Sequence, residues 1–342
     1  MFRINVFATC LYVLLCVRSV PASGDNAPIF EVSTSKFLLG TKVDITALHT
    51  DIIKCKKACY FAFEEINRIE QLLSAHIETS EISRINRSAG MEPVKVGSET
   101  FAMIERALGY AKRFDGFFDI SIGPVTELWG FNGEAPAAIP DDERLRAMLK
   151  LVDFSKVRLN AGDRTVFLPL KKMKLDLGGI AKGYAVDKAA EVLRKHGIST
   201  FLINAGGDIY TSGRKDGNKR WVVGLQHPRK PNNLLATFEL SDFAVATSGD
   251  YERYFEEGGK RYHHIIDPKT GYPAELTRSV TVFAPTVEEA DVWATYLFIA
   301  GIEKFKKDKR ISSMKTIFVD THGGIQFDES LKAHYRLSFD TR

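Results

Sequence analysis

Residues 174–183 read KLDLGGIAKG. Over 173–177 apolar and polar side chains alternate with the period of a half-buried strand, and the pair Gly178-Gly179 then interrupts it. Over 184–196 the apolar spacing becomes that of a helix, with Gly197 as a fitting C-cap. The stretch therefore reads as strand, glycine turn and helix. Bare backbone N–H groups at such a helix N-terminus favour an anion, and Lys182 adds a point charge. The spacing matches neither G-x-G-x-x-G nor a Walker loop, so a tight turn explains the glycines equally well. Asp176, at the strand's end, is an acid that needs a partner or a task.

Downstream, 200–204 is a strand that meets a second glycine turn at Gly206-Gly207, and further strands fall near 221–225, 236–240, 262–266 and 279–283. Thr286 with Glu289 forms a capping box for a helix over 287–300 that stops at Gly301. Upstream, 30–45 alternates as strand with a break at Gly40-Thr41, and a helix runs over about 51–73. Residues 74–89 are polar and irregular, and Ser98 caps a helix whose apolar face is Phe101, Ile104, Leu108 and Ala111. The 114–131 stretch reads as a shaped loop with short strands, 132–140 as a linker and 141–151 as a helix, with strands near Val157 and Val166. Strands and helices interleave without a βαβ rhythm. The class is α+β, with mixed β-sheets and flanking helices. The 342 residues allow two lobes, roughly 28–170 and 171–342, with the site in a cleft between them.

Composition narrows the function. With 44% hydrophobic and 26% charged residues the chain is an ordinary globular protein. Arg3 precedes an apolar run over 4–17, then Val20-Pro21-Ala22, a small-residue pattern of the V-x-A type. Residues 1–22 are read as a cleaved export signal whose apolar run is shorter than a spanning helix needs, with an uncleaved anchor as the alternative. Arg3 and Arg18 fall in it, so the formal charge of +4 becomes +2 in the remainder, too balanced to indicate nucleic-acid binding. Cys10 and Cys16 also fall in it. Cys55 and Cys59, four apart on a helix and aligned with Phe63 and Ile66, read as small core residues.

Two further groups carry candidate chemistry. Asp291 and Thr295 lie one turn apart on the helix after Thr286, so a carboxylate and a hydroxyl share a face, an oxygen pair that suits a hard cation. Asp291 would equally serve as a first-turn acid on the helix dipole. His263 and His264 stand on a predicted strand and point to opposite faces, so one of them can enter a cleft as a general base and the other is a structural hydrogen-bonder.

In order along the chain, Gly40-Thr41, Thr79 through Asn86, Phe118-Asp119-Ile120 with Gly123-Pro124, Leu128 through Phe131, Asp176 through Asp187, Asn204 through Asp208, Ala246 through Arg253, His263 through Gly271, and Ala290-Asp291 with Thr295 resemble the FAD:protein FMN transferase family, the ApbE type of periplasmic flavin transferase. The resemblance covers nearly the whole chain after the leader and makes 23–342 one catalytic unit. It implies that FAD is split at its pyrophosphate, FMN is esterified to a Thr or Ser hydroxyl of a partner flavoprotein, and AMP is released. It implies Mg²⁺ held by Asp291 and Thr295 with main-chain carbonyls at Gly179 and Ala294. It assigns flavin or nucleotide contacts to Leu39, His76, Phe117, Phe118, Asp119, Asp176, Lys182 and Ile265, and leaves His264 as the candidate base beside Asp291. The expected partner is a membrane-associated redox subunit bearing a Thr/Ser flavinylation motif. The expected location is the periplasm, with a tether to the inner membrane if the leader is kept.

This chain departs from the family pattern at Leu39, where methionine is usual, and at His76, where tyrosine is usual. The first change conserves volume. The second replaces a phenol with a smaller ring against the flavin. Hydrolysis of FAD to FMN and AMP is therefore the alternative reading, and an exported flavin-binding protein without catalysis is a second.

Overall fold

Val43, Ile45 and Ala47 alternate along the Thr41–His49 strand, and all three are fully buried. The same alternation in the neighbouring strands builds the main layer of the protein. The structure is a computed structural model describing residues 16–20, 28–131, 137–215, 218–307 and 314–340. Most of the leader and the start of the 132–140 linker lie outside the described residues. Among the described residues nine strands form one sheet, in the order Cys16–Val20, Ile29–Leu38, Thr41–His49, Thr200–Ala205, Asp208–Ser212, Phe243–Gly249, Thr277–Ala284, Lys315–Asp320 and Ile325–Phe327. The α+β class holds, and every ladder in this sheet is antiparallel. The strand at Cys16–Val20 falls inside the expected leader, so a chain cut after Ala22 would begin the sheet with Ile29–Leu38. The ladder between Thr41–His49 and Thr200–Ala205 joins the two halves of the chain in one sheet.

Period-2 patterning gives the sheet two apolar faces. Val280, Val282 and Phe318 face a layer of three helices, Ile52–Leu73, Ala181–Lys195 and Val287–Lys307. Phe283, Ile317 and Val319 face a small sheet built of Trp221–Gln226, Leu234–Leu240 and Ser338–Phe339. The first helix starts where Asp51 accepts the N–H groups of Ile53 and Lys54, and Cys55 and Cys59 are buried in its core face as expected. Among the described residues no helix is long and apolar enough to cross a membrane.

Several local expectations change. The 74–89 stretch contains a short helix, Glu81–Arg87, capped by Ser80. Ser98 is the first residue of the Ser98–Arg113 helix and not its cap; Gly97 holds that place, its N–H donating to the Glu81 carboxylate at 3.0 Å. The 114–131 loop contains the Gly123–Trp129 helix, started by Pro124 and closed by Gly130 at φ 71°. Gly301 does break the last long helix, with φ 74°, but helix resumes to Lys307.

The 173–177 stretch is extended without being a strand of any sheet. Met173, Leu175 and Leu177 are buried as the alternation requires. Its backbone, however, pairs with a side chain: the Leu175 N–H donates to Asn86 Oδ1 (2.7 Å) and Asn86 Nδ2 donates to the Leu175 carbonyl (2.9 Å). The Asp176 N–H takes the Ile120 carbonyl at 2.7 Å. Asn86 thus serves one backbone edge of the segment, and an isolated parallel bridge between Lys174 and Ile122 serves the other. A third cluster, Val125, Trp129, Leu145 and Ile266 with Phe131, Phe255 and Tyr262, fastens the loops beside this segment, and the Trp129 indole N–H donates to the Gly271 carbonyl at 2.8 Å.

Candidate active site

The glycines of 174–183 serve packing first. A Cβ on Gly183 would stand 2.5 Å from the Val287 carbonyl oxygen and 2.8 Å from Glu288 Cα. Only glycine lets the start of the Ala181–Lys195 helix meet the start of the Val287–Lys307 helix so closely. Asp187, one turn further on, accepts the N–H groups of Val287 and Glu288, each at 2.9 Å, and so caps the second helix from the first. Thr286 contributes the expected bond from the Glu289 N–H at 3.3 Å. Burial raises the Asp187 carboxyl to about 6.

This junction sets the candidate centre. Asp291 is buried, and its Oδ2 accepts the Gly183 N–H at 3.1 Å. Lys182 Nζ stands 3.8 Å from the same oxygen and forms an ion pair with buried Asp208. Burial raises the Asp291 carboxyl, opposed by the Lys182 charge and the Gly183 N–H. Burial also lowers the Lys182 ammonium. Thr295, one turn beyond Asp291, has its hydroxyl 3.5 Å from Ser248 Oγ. Gly179 lies against it: a Cβ there would be 3.0 Å from the Phe118 ring and 3.5 Å from Thr295 Oγ1. Ala294 is buried inside continuous helix, where its carbonyl serves the helical ladder.

Asp176 accepts the Gly178 N–H (2.8 Å) and the Thr126 hydroxyl (3.1 Å). Asp119 is buried and committed to its own loop, with Oδ1 taking the Ser121 N–H and hydroxyl and Oδ2 taking the Phe154 N–H. Phe117 is half-buried beneath Lys304, whose ammonium is 3.9 Å from the ring centre. The Ile265 N–H donates to His263 Nδ1 and its carbonyl accepts the Ala274 N–H.

The histidine strand ends at His263, so His264 lies just beyond it and not within it. His263 is buried; its Nε2–H donates to the Ala274 carbonyl (2.9 Å) and its Nδ1 accepts the Ile265 N–H (3.3 Å), a fully satisfied neutral ring. His264 is half-buried, with Nδ1 on the Arg253 carbonyl at 3.3 Å. That contact assigns the proton to Nδ1 and leaves the Nε2 lone pair unshared. Burial, with the Arg253 charge next, holds His264 well below the ordinary imidazole range.

Among the described residues no hydrogen bond or ion pair joins Leu39 or His76 to this centre. Leu39 is held at φ 56° with its N–H on Glu70 Oε1 (2.8 Å). Its hairpin touches the centre through Thr41, which packs on Gly206 beside Asp208. His76 is exposed. Asp208, Asp187 and Ser248 are residues to which sequence reasoning gave no role. Asp208 follows the Gly206-Gly207 turn, whose φ values of 58° and 94° make the hairpin, and that turn was the available signal.

The donors fit a hard divalent cation. Among the described residues no donor reaches Asp291 Oδ1 and no backbone N–H takes the Gly179 carbonyl, so both oxygens keep capacity to accept, and Gly179 itself lies against Thr295. No group of three or more His, Cys, Asp or Glu side chains converges among the described residues, and this set uses one carboxylate only.

A model of the ApbE family matches residues 39–315. A FAD:protein FMN transferase of Treponema pallidum is 36% identical over 318 residues, covering 87% of this chain and 88% of the relative. One from Klebsiella pneumoniae is 39% identical over 246 residues, covering 71% and 75%. The crystal structure of the ApbE protein of Thermotoga maritima superposes with a TM-score of 0.82 at 34% identity, covering 89% of this chain and 98% of that one. On the family match along most of its length and on these relatives, the chain belongs to the ApbE family.

Proposed function

We propose that this enzyme transfers the FMN moiety of FAD to a Thr or Ser hydroxyl of a target flavoprotein, with Mg²⁺ held by Asp291, Thr295 and the Gly179 carbonyl. The observation that carries the reading is the junction of the two helices, where Asp291, Thr295, Gly179 and Lys182 come together. Mg²⁺ bound there would neutralise charge building on the pyrophosphate. Lys182 adds a second positive group for the phosphates, and Asp208 fixes its position. The acceptor oxygen forms a bond to the FMN phosphorus, the bond from that phosphorus to the bridging oxygen breaks, and AMP leaves with the bridging oxygen. The hydroxyl proton passes to His264 Nε2, whose neutral ring is the accepting form. Ala294 is the weakest of the proposed metal donors, because its carbonyl lies in continuous helix.

Export to the periplasm is proposed on the leader, and a membrane-associated redox subunit carrying a Thr/Ser motif is the proposed acceptor. Water is the competing acceptor, favoured by the exposed His76 where a larger ring would cover the flavin. Incubation with FAD, Mg²⁺ and such an acceptor, followed by mass spectrometry of the acceptor and assay of AMP, separates the two. Acceptor gaining the mass of FMN supports transfer. AMP release with unmodified acceptor would establish hydrolysis instead. Asp291→Ala and excess chelator should each abolish AMP release, and full activity in either would sink the metal assignment.

A further inference from the structure

The start of the Ile52–Leu73 helix and the end of the Ala181–Lys195 helix meet at a concavity of about 610 Å³ lined by Ile53, Lys54, Lys57, Lys195 and His196. It lies about 20 Å along the second helix from Lys182 and takes no part in the candidate active site. Its surroundings are both basic and apolar. Ile53 is 75% exposed and Tyr60 54%, and Phe61 stacks flat on His196 with ring centres 4.9 Å apart. Lys54, Lys56, Lys57 and Lys195 are exposed, and among the described residues no carboxylate pairs with any of them. Asp51, the acid at the rim, has its Oδ1 committed to the N–H groups of Ile53 and Lys54.

This mixture selects its occupant. A site for a small soluble anion has no use for uncovered isoleucine and tyrosine, and the centre of a protein interface is depleted in lysine. A bilayer interface takes both, since rings and aliphatic stems enter the headgroup layer while ammonium groups meet lipid phosphates. The path of the chain supplies a second argument. Phe30 pairs with His49, whose Nδ1 accepts the Asp51 N–H at 2.8 Å, so the segment carrying the apolar leader enters the fold at the edge of this patch. We propose that this face docks the protein on an anionic lipid bilayer. The proposal does not depend on the flavin chemistry.

The test is co-sedimentation of the full chain with phosphatidylcholine vesicles, with and without phosphatidylglycerol. Binding should be stronger to the anionic vesicles and should weaken with added salt, a readout that needs no variant. Lys54→Glu with Lys57→Glu should lower affinity for anionic vesicles at least roughly tenfold and leave neutral vesicles unaffected. Ile53→Ser with Tyr60→Ser should also weaken anionic binding, while AMP release from soluble FAD is unchanged in both variants. Equal binding to both vesicle types, unchanged by salt, would overturn the proposal. So would capture of soluble polyglutamate without vesicle binding, which would make the patch a site for an acidic protein.

Discussion

Gly183 and Gly109 both lie within helices, yet alanine should act on them with opposite sign. On propensity alone each substitution gains about 0.5–1 kcal/mol, because glycine loses more freedom on folding. At Gly109, in the Ser98–Arg113 helix, a Cβ would meet nothing within 4 Å, so the gain should appear in full. At Gly183 the new Cβ would stand 2.5 Å from the Val287 oxygen and 2.7 Å from its carbon, where ordinary contact begins near 3.4 Å. Both are backbone atoms and cannot rotate away, so the two helices must part by roughly 0.9 Å. Such overpacking costs about 1–3 kcal/mol, which set against the propensity gain leaves a net loss of up to about 2.5 kcal/mol. The movement also stretches the 3.1 Å bond from the Gly183 N–H to Asp291 beyond hydrogen-bonding range, so turnover should fall further than stability requires. Urea denaturation of both variants, with AMP release from FAD, measures the two effects. A Gly183→Ala protein as stable as Gly109→Ala and as active as the native enzyme would refute the view that this close helix contact positions Asp291.

His264→Ala should slow transfer by roughly 10² to 10⁴, while His263→Ala should chiefly lower stability, because its ring spends both nitrogens on the backbone; equal small rate losses would place the base elsewhere. Since burial and the Arg253 charge lower His264 from the ordinary imidazole range, its limb in the rate profile should lie at lower pH than that of a free imidazole. Asp187 has a folded value near 6 against an ordinary 3.8, so its contribution to stability is full below pH 4 and is lost as pH rises through 6. Asp187→Asn should therefore flatten the stability curve between those values, and Asp187→Ala should cost about 1–2 kcal/mol for the lost cap; chemical denaturation across that range checks both. His76→Tyr should tighten FAD binding by about 1 kcal/mol in a fluorescence titration and lower AMP release without acceptor relative to transfer, and unchanged values would show that residue 76 is not against the flavin.

What the sequence made legible is what a single segment decides for itself. The helix over about 51–73, its core face bearing Cys55 and Cys59, and Gly301 as a break all depend on neighbours within one or two turns. The 173–177 stretch shows the limit of that reasoning. Its alternation correctly reports which side chains are buried, but a strand is defined by its partner, and here the partners are the side chain of Asn86 and a single bridge to Ile122. The short helix that carries Asn86 was itself hidden in a polar run, because its stability comes from Ser80 and from packing more than from apolar period.

The candidate site divides on the same line. Asp291 and Thr295 were visible as a pair because one helix supplies both. Asp208 was not, since nothing in its own hairpin announces that Lys182 will reach it from a different helix. The same applies to Asp187, whose two acceptor oxygens serve a helix that starts a hundred residues later. Both acids meet their partners at one place, the start of the Ala181–Lys195 helix, which Gly183 allows to approach the Val287–Lys307 helix. The glycines that read from sequence as a candidate phosphate cradle therefore first have a different task. Gly183 lets two helix N-termini share a junction, and there the Lys182 charge, then the Gly183 N–H, oppose the burial that raises the Asp291 carboxyl before any cation arrives.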